Sequence, residues 1–217
     1  QKMIKLFKNL TKNSSAISVC GFESFPIGPS ESPDTSVLSG KDATIKLLTE
    51  QKNYQIVSWN KLYKKSLFNK IIFPVGKKHE DSLTTYKLFA NADKISFFKE
   101  ELYFYRQRSG STMNKVNLEE RLDTKLLAAT EAKEYFKNDG KLKQAAEISE
   151  LLAYFAYLDN IISGKLDMPP EKILNWLKKN KRKILENPFL TNKLRIYMTL
   201  VTKSDGLPYK TFRKIIH

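Results

Sequence analysis

The chain has 217 residues, with 38 Lys and Arg against 23 Asp and Glu, which gives a formal net charge of +15. Hydrophobic residues make up 41% of it and aromatic residues 12%, with 8 Gly and 8 Pro, which excludes an intrinsically disordered or collagen-like chain. The single cysteine, Cys20, excludes an intramolecular disulfide. No segment approaches the roughly 18 apolar residues of a membrane span, and the first residues lack the pattern of a signal peptide. Composition therefore predicts a globular, basic, cytoplasmic protein.

The first part of the chain, to about residue 113, mixes helix-like and strand-like patterns. An amphipathic helix, with Met3, Ile4, Phe7 and Leu10 as its apolar residues, precedes a strand at 16–22. The elements predicted after it are an irregular loop at 24–40, a helix at 41–50, a strand at 54–58, a helix at 79–90 and a β-hairpin with strands at 94–98 and 102–106.

The second part of the chain has a helical pattern throughout. Asn117 and Glu120 have the spacing of a capping box, which predicts that a helix begins there. Asp139-Gly140 is predicted to end this helix near residue 138. Further helices are predicted at 141–162, from Pro169-Pro170, at 190–201 and at 208–216. The prediction is therefore an α/β region at 1–114 followed by an all-helical region at 115–217.

Three stretches of the first part hold more unusual side chains than packing requires. They are Ser58-Trp-Asn-Lys-Leu-Tyr-Lys64, Phe73-Pro-Val-Gly-Lys-Lys-His-Glu-Asp81 and Tyr103-Phe-Tyr-Arg-Gln-Arg-Ser-Gly-Ser-Thr-Met113. In this order and at this spacing they resemble the C-terminal part of family 2 glycosyltransferases, of the bacterial kind that builds cell-surface polysaccharides. Each motif alone is weak evidence, but the three in order make the resemblance specific over roughly residues 1–113.

The resemblance implies a partial GT-A type α/β fold and the inverting transfer of a sugar from a nucleotide-diphospho-sugar to a glycan or lipid-linked acceptor. It places the general base, which takes a proton from the acceptor hydroxyl, at Asp81. A carboxylate in the first turn of a helix is kept ionised by the helix dipole and the free amides, which suits a base. From the residues alone, Glu80 and Asp81 are more simply explained as acids that cap the helix.

The remaining site residues are expected to bind substrate. Arg106 and Arg108 flank a Ser-Gly-Ser turn whose donors suit the diphosphate, and such a loop is expected to act as a lid. Trp59 is expected to stack on a sugar ring. The alternatives are that the arginines are solvated, that Trp59 belongs to the core and that Lys61 is a surface charge. The residues expected to bind substrate are Trp59, Asn60, Lys61, Glu80, Arg106, Arg108, Ser109, Gly110 and Ser111.

One motif of the family is missing from the chain. Family 2 enzymes hold Mg²⁺ or Mn²⁺ and the donor diphosphate through an Asp-X-Asp motif, and this sequence contains none. Aligned on the pattern, Gln1 falls a short way after that motif, so the nucleotide-binding half is expected to be absent. The metal is therefore expected only in a longer protein, no metal ligand is assigned in this chain, and the chain alone is expected to be inactive.

The positive charge is unevenly distributed along the chain and is compatible with more than one kind of binding partner. Residues 1–114 carry 18 basic and 10 acidic side chains, and residues 165–217 carry 13 and 4. Such a basic region attracts any polyanion. Nucleic acid is disfavoured because the lysines are scattered and no known nucleic-acid-binding motif is present. The alternative to an enzyme is a helical interaction module. Peripheral contact with the inner face of the cell membrane, or a solvated helix end, would explain the basic cluster Lys178, Lys179, Lys181, Arg182 and Lys183.

Overall fold

The computed structural model describes residues 2–25, 28–29, 33–51, 54–106 and 117–203. The chain divides into two compact units, Gln1–Asn117 and Leu118–His217. In its described residues the first unit combines strands with helices, whereas the second contains helices alone. The helix predicted at 208–216 lies outside the described residues.

The first unit alternates helices and strands in the residues described. Its helices are α1 (Lys2–Lys12), α2 (Gly40–Thr49) and α3 (Glu80–Ala90). Its strands are β1 (Ile17–Phe25), β2 (Gly28–Pro29), β3 (Ser36–Ser39), β4 (Lys61–Tyr63) and β5 (Lys94–Arg106), and a short 3₁₀ turn, Lys65–Asn69, follows β4. The predicted strand at 16–22 and the predicted helices at 41–50 and 79–90 are confirmed.

The strands form one mixed sheet in the order β2-β1-β5-β3, and β4 also pairs with β1. β1 and β5 run parallel, from Ile17 opposite Ile95 to Phe25 opposite Arg106, and the other pairs are antiparallel. The carboxyl ends of β1 and β5 therefore lie side by side. In sheets that contain parallel strands, ligands usually bind outside these carboxyl ends.

β5 corrects the prediction of a hairpin at 94–106. The run Lys99-Glu100-Glu101, predicted as a turn, lies inside one long strand because β5 pairs with β1 both before and after it. The pairing slips at this run: Phe98 lies opposite Cys20, but the last residue of the run lies opposite Gly21. β5 therefore absorbs its extra residues in a bulge rather than reversing direction.

Two other predictions for the first unit are wrong. The segment at 54–58 is not a strand. Its residue Tyr54 is buried instead by packing, with its ring edge-on against Phe97 and the centroids 5.1 Å apart. The strand lies a few residues later, as β4, where it can pair with β1. The segment at 24–40 is not a continuous loop, because it contains the end of β1 together with β2 and β3.

The helix α1 contacts the sheet through a different face from the one its sequence predicts. Leu6 and Leu10 are its buried apolar residues. Met3 and Phe7 are each 58% exposed, and Ile4 is 56% exposed. Of the four residues predicted to form the apolar face, only Leu10 is therefore buried in the described structure, and Leu6 takes the place of the others.

A polar contact anchors α1 to the centre of the sheet. Asn9 Nδ2 donates to Ser18 Oγ of β1 at 2.9 Å and to Ser96 Oγ of β5 at 3.1 Å. The residues that alternate with these serines along each strand are apolar and face the opposite way. The buried apolar residues of the sheet and of α2 and α3 include Ile17, Val19, Ile95, Phe97, Leu47, Leu48, Leu88 and Phe89.

The start of α2 is fixed by a close approach of two backbones. Ser39 caps the helix, with its hydroxyl accepting from the Asp42 amide at 3.0 Å. The Gly40 amide donates to the Asp93 carbonyl at 3.2 Å. A Cβ atom at Gly40 would lie 1.8 Å from the Ala92 carbonyl oxygen, so only glycine fits there. This contact holds α2 against the segment between α3 and β5.

The second unit is built from four helices in the residues described: α4 (Leu118–Tyr135), α5 (Gly140–Ile162), α6 (Glu171–Leu185) and α7 (Asn192–Lys203). Asp139 caps α5, its side chain accepting from the Leu142 amide at 3.2 Å, which confirms the predicted boundary at Asp139-Gly140. Pro170 precedes α6 as predicted. Leu151, Leu158, Leu177 and Met198 lie in the buried core that these helices share.

Two carboxylates of α5 are buried and ion-paired. Glu150 Oε2 lies 2.5 Å from Lys133 Nζ of α4, and Glu147 Oε1 lies 2.6 Å from Lys183 Nζ of α6. Asn187 Nδ2 also donates to Glu147 at 3.4 Å. Because a buried carboxylate left without its partner is costly, these pairs fix how α4 and α6 pack on α5.

Candidate functional site

Asn60 joins the start of β4 to the middle of β1. Its side chain is buried, at 4% exposure. Its Nδ2 donates to the Cys20 carbonyl at 2.8 Å, and its own carbonyl accepts from the Cys20 amide at 3.0 Å. Its Oδ1 accepts from Lys61 Nζ at 2.8 Å. The amide of Asn60 holds β1 and Lys61 in place, and its role in binding substrate stays a prediction.

Lys61 lies beneath the surface, at 6% exposure, so the alternative that it is a surface charge is wrong. Its Nζ donates to the Gln55 carbonyl at 2.8 Å, to the Val57 carbonyl and to Asn60 Oδ1. An ammonium group has three N–H donors. All three are therefore accounted for by oxygens of the protein itself.

Burial and nearby negative charges act on the pKa of Lys61 in opposite directions. Burial lowers the pKa of Lys61 to about 7, and the negative charges of Asp81 and of a Cys20 thiolate act in the opposite direction. The Cys20 thiol is itself buried, and its pKa is raised by that burial. Lys61 is therefore a buried amine that can change its charge near neutral pH.

The helix α3 begins at the two predicted acidic residues. His79 precedes them with a backbone φ of 56°, and Glu80 and Asp81 form the first turn. Asp81 Oδ1 accepts from the Ser82 amide at 2.8 Å, so one of its oxygens satisfies a free amide of the helix end. Burial raises the pKa of Asp81, as does the charge of Glu80, while the Ser82 amide, His79 and Lys61 lower it. Asp81 is therefore a stronger base than an exposed aspartate.

The segment 55–57 connects Lys61 of β4 to the helix α3 that carries Asp81. Lys61 donates to carbonyls at both of its ends, and Thr85 Oγ1 donates to the Ile56 carbonyl between them at 2.6 Å. Thr85 lies one helical turn after Asp81, on the same side of α3. The structure thus brings together the Trp-Asn-Lys motif and the Glu-Asp motif through a short stretch of backbone.

Sequence reasoning missed two polar residues at this site, Tyr63 and Thr85. Burial and the charge of Asp81 raise the pKa of Tyr63. The Tyr63 hydroxyl and His79 Nε2 are buried without a hydrogen-bond partner among the residues that the structure describes. Tyr63 belongs to the Trp-Asn-Lys-Leu-Tyr motif, which was the available signal for it, whereas nothing in the sequence marked Thr85.

Trp59 belongs to an aromatic cluster. Its ring stacks on Tyr103, with centroids 4.5 Å apart, and on Tyr105 at 5.0 Å, and meets Phe22 edge-on at 4.6 Å. Tyr103 and Tyr105 alternate along β5 and so point to the same side of the sheet. The predicted alternative, that Trp59 serves packing, is supported by these contacts, and the two tyrosines join the candidate site.

The third motif is only partly described. Arg106 ends β5 and is exposed, opposite Phe25 at the carboxyl end of β1. Arg108, Ser109, Gly110 and Ser111 lie outside the described residues. Of the residues predicted to bind the diphosphate, the structure therefore places Arg106 alone.

The described residues contain neither a metal cluster nor a membrane span. No three His, Cys, Asp or Glu side chains of that part of the chain are grouped so that they could hold a metal ion. None of its helices has the length and apolar character needed to cross a bilayer.

The sequence is similar in part to two curated proteins of Streptococcus pneumoniae serotype 4 (strain ATCC BAA-334 / TIGR4). It is 45% identical to Glycosyltransferase GlyG over 53 residues, which are 24% of this chain and 18% of GlyG. It is 38% identical to Glycosyltransferase GlyA over 63 residues, which are 29% of this chain and 9% of GlyA. These matches support a glycosyltransferase. The matched part is less than a fifth of either relative, and no family model matches the chain.

Proposed function

We propose that this chain is the acceptor-side part of an inverting family 2 glycosyltransferase with a GT-A type fold. The enzyme moves a sugar from a nucleotide-diphospho-sugar to a polysaccharide or lipid-linked acceptor of the bacterial cell envelope. The observation that carries the proposal is the half-buried Asp81 carboxyl, held in the first turn of α3 under the influence of the buried Lys61. The similarity to GlyG and GlyA supports glycosyl transfer, and the parallel pair β1–β5 within a mixed sheet is compatible with the proposed fold.

In the proposed reaction Asp81 is the general base. The acceptor hydroxyl gives its proton to the Asp81 carboxylate while the hydroxyl oxygen forms a bond to the anomeric carbon of the donor sugar. The bond from that carbon to the diphosphate oxygen breaks on the opposite face, and its electron pair leaves with the nucleoside diphosphate. Because burial raises the pKa of Asp81, its carboxylate accepts this proton more readily than an exposed aspartate would.

Arg106 is the group proposed to stabilise the leaving diphosphate. Its guanidinium is exposed at the carboxyl end of β5 and can bind two phosphate oxygens at once. Arg108 and the stretch Ser109-Gly110-Ser111, close behind it in sequence, are proposed to extend this site. The family implies Mg²⁺ or Mn²⁺, but the described residues offer no cluster that fits a metal ion, so no step is assigned to one.

The decisive experiment is Asp81→Asn in the complete protein that carries this chain. We expect turnover to fall by about 10²- to 10⁴-fold, the range typical of losing a general base, while the affinity for the nucleotide sugar stays unchanged. Asp93→Asn, at an exposed aspartate outside the site, is the control and should keep full activity. Turnover retained in Asp81→Asn would remove this residue from the mechanism.

A second proposal concerns the chain by itself. Without an Asp-X-Asp motif it is expected to bind a nucleotide sugar weakly or not at all and to transfer no sugar. Isothermal titration of the chain with nucleotide sugars measures this directly. Micromolar affinity would show that the donor site is already complete in these residues.

The basic cluster on α6 supports a further proposal, peripheral contact with an anionic membrane surface. Lys178 and Lys179 are exposed on α6, as are Arg182 and Lys183, although these last two also pair with Glu186 and Glu147. Each basic residue at such a surface contributes about 1 kcal/mol. Sedimentation with vesicles should show binding only when anionic lipid is present and loss of binding at high salt. Equal sedimentation with neutral vesicles would contradict the proposal.

A further inference from the structure

The contacts of Lys61 define a role that differs from substrate binding. All three N–H donors of its ammonium group are donated to oxygens of the protein, two of them backbone carbonyls. A substrate could accept from Lys61 only after one of these bonds broke. Its position at the start of β4 is also fixed, since Lys61 lies opposite Val19 of the central strand.

The same contacts tie Lys61 to α3. The segment 55–57 is held on one side by Lys61 and on the other by the 2.6 Å bond from Thr85 to the Ile56 carbonyl. Thr85 and Asp81 lie one turn apart on the same side of α3. A displacement of Lys61 therefore moves the backbone against which the base-carrying helix is bonded.

We propose that Lys61 is a positioning residue for Asp81: its bonds hold the segment 55–57 against α3, the helix that carries this carboxyl. The inference rests on the proposed function, because it assigns Lys61 a role in keeping the acceptor-side base ready to take a proton. It also accounts for a lysine being kept buried where an apolar side chain of similar length would fit with less desolvation.

The charges around the pair agree with this role. Lys61 faces Asp81 of α3 and Cys20 of β1. Asp81 faces Glu80 of its own helix, His79 just before that helix, and Lys61 and Tyr63 of β4. Burial raises the pKa of Asp81, and Lys61 opposes that rise. Because burial lowers the pKa of Lys61 to about 7, the opposing charge is present in acid and is lost as the pH rises above neutrality.

Carbon NMR of the Asp81 carboxyl in this chain tests the coupling without an activity assay. In the unsubstituted chain, the Asp81 signal should shift once when Asp81 ionises and again, by less, when Lys61 loses its proton. In Lys61→Met the second shift should vanish and the first should move to higher pH. Lys64→Met, at an exposed lysine just after β4, should change neither. A single shift in the unsubstituted chain would overturn the proposal, even if Lys61→Met does not fold.

Kinetics of the complete protein separate this inference from the proposed function. Lys61→Met should lose about tenfold more turnover at pH 6 than at pH 8, because the lysine is charged only at the lower pH. An equal loss at both pH values would indicate a purely structural role and refute the inference. If Asp81→Asn keeps its activity while the NMR coupling is present, the proposed function fails but Lys61 still controls the Asp81 carboxyl.

Discussion

Replacing Asn60 by Ala should destabilise the first unit strongly, because one buried side chain makes two different hydrogen bonds. The bond from Nδ2 to the Cys20 carbonyl is between neutral groups and contributes about 1 kcal/mol. The bond from Lys61 Nζ to Oδ1 involves an ammonium group and contributes about 1.5–3 kcal/mol. Asn60→Ala should therefore lower the free energy of unfolding by about 2.5–4 kcal/mol.

The two tryptophans of the chain allow this to be measured on one unit at a time. Trp59 lies in the first unit and Trp176 in the second, so a Trp176→Phe background leaves Trp59 as the only reporter. Trp59 is stacked on two tyrosines, and its fluorescence should change when the first unit unfolds in urea. Asn91→Ala, at an exposed asparagine that donates to the Lys87 carbonyl, is the matched control and should cost less than about 1 kcal/mol.

A double-mutant cycle then tests the assignment of the two bonds. In a Lys61→Met background the charged bond is already lost, so Asn60→Ala should cost only about 1 kcal/mol. The urea dependence of unfolding should stay unchanged if the native state is otherwise intact. A loss below about 1 kcal/mol in the original background, or equal losses in both backgrounds, would refute the reasoning.

Three further outcomes are expected from urea unfolding followed through the tryptophan of the relevant unit. The stability of the first unit should rise by about 2 kcal/mol between about pH 7 and 8.5. In this range Lys61 has lost its proton in the folded protein but still holds it in the unfolded chain. Lys61→Met should abolish this rise. Gly40→Ala should cost at least about 2 kcal/mol because its Cβ meets a backbone oxygen, whereas Gly140→Ala, at the equivalent first position of α5, should be tolerated. Lys133→Met should cost about 3 kcal/mol by leaving a buried carboxylate unpaired, whereas Lys137→Met, at an exposed pair, should leave the stability nearly unchanged. A flat stability between pH 7 and 8.5, or equal costs within either matched pair, would contradict these assignments.

The sequence predicts elements that are governed by local rules and fails where pairing between distant segments decides. The boundary predicted at Asp139-Gly140 and the helix start predicted at Pro169-Pro170 depend on immediate neighbours, and both are confirmed: Asp139 caps α5 with its side chain, and α6 begins directly after Pro170. The run Lys99-Glu100-Glu101 has the composition of a turn, but its conformation is set by pairing with β1, which is distant in sequence. The predicted apolar face of α1 was wrong for a related reason, since the helix buries Leu6 rather than Phe7.

The site was predictable in its residues but not in its connections. The motifs singled out Asn60, Lys61 and Asp81, and the structure places their hydrogen bonds and charges in one neighbourhood. That Lys61 is buried and fully bonded could not be predicted, because burial depends on how β4 pairs and on the path of the segment 55–57. Thr85 was missed because a threonine inside a helix carries no signal of a partner outside it.

The number of residues in the bulge of β5 decides to which side of the sheet the side chains after it point. After the bulge, Tyr103 and Tyr105 point to the side of Trp59, while Phe104 points the other way, with Lys2 Nζ 3.5 Å above its ring. Removing one residue between 99 and 101 would exchange the two sides and carry Phe104 to Trp59, whereas removing two would restore the original alternation. Insertions and deletions in this stretch should therefore be tolerated in twos and disruptive singly, so that the aromatic cluster depends on parity rather than on the residues of the bulge themselves.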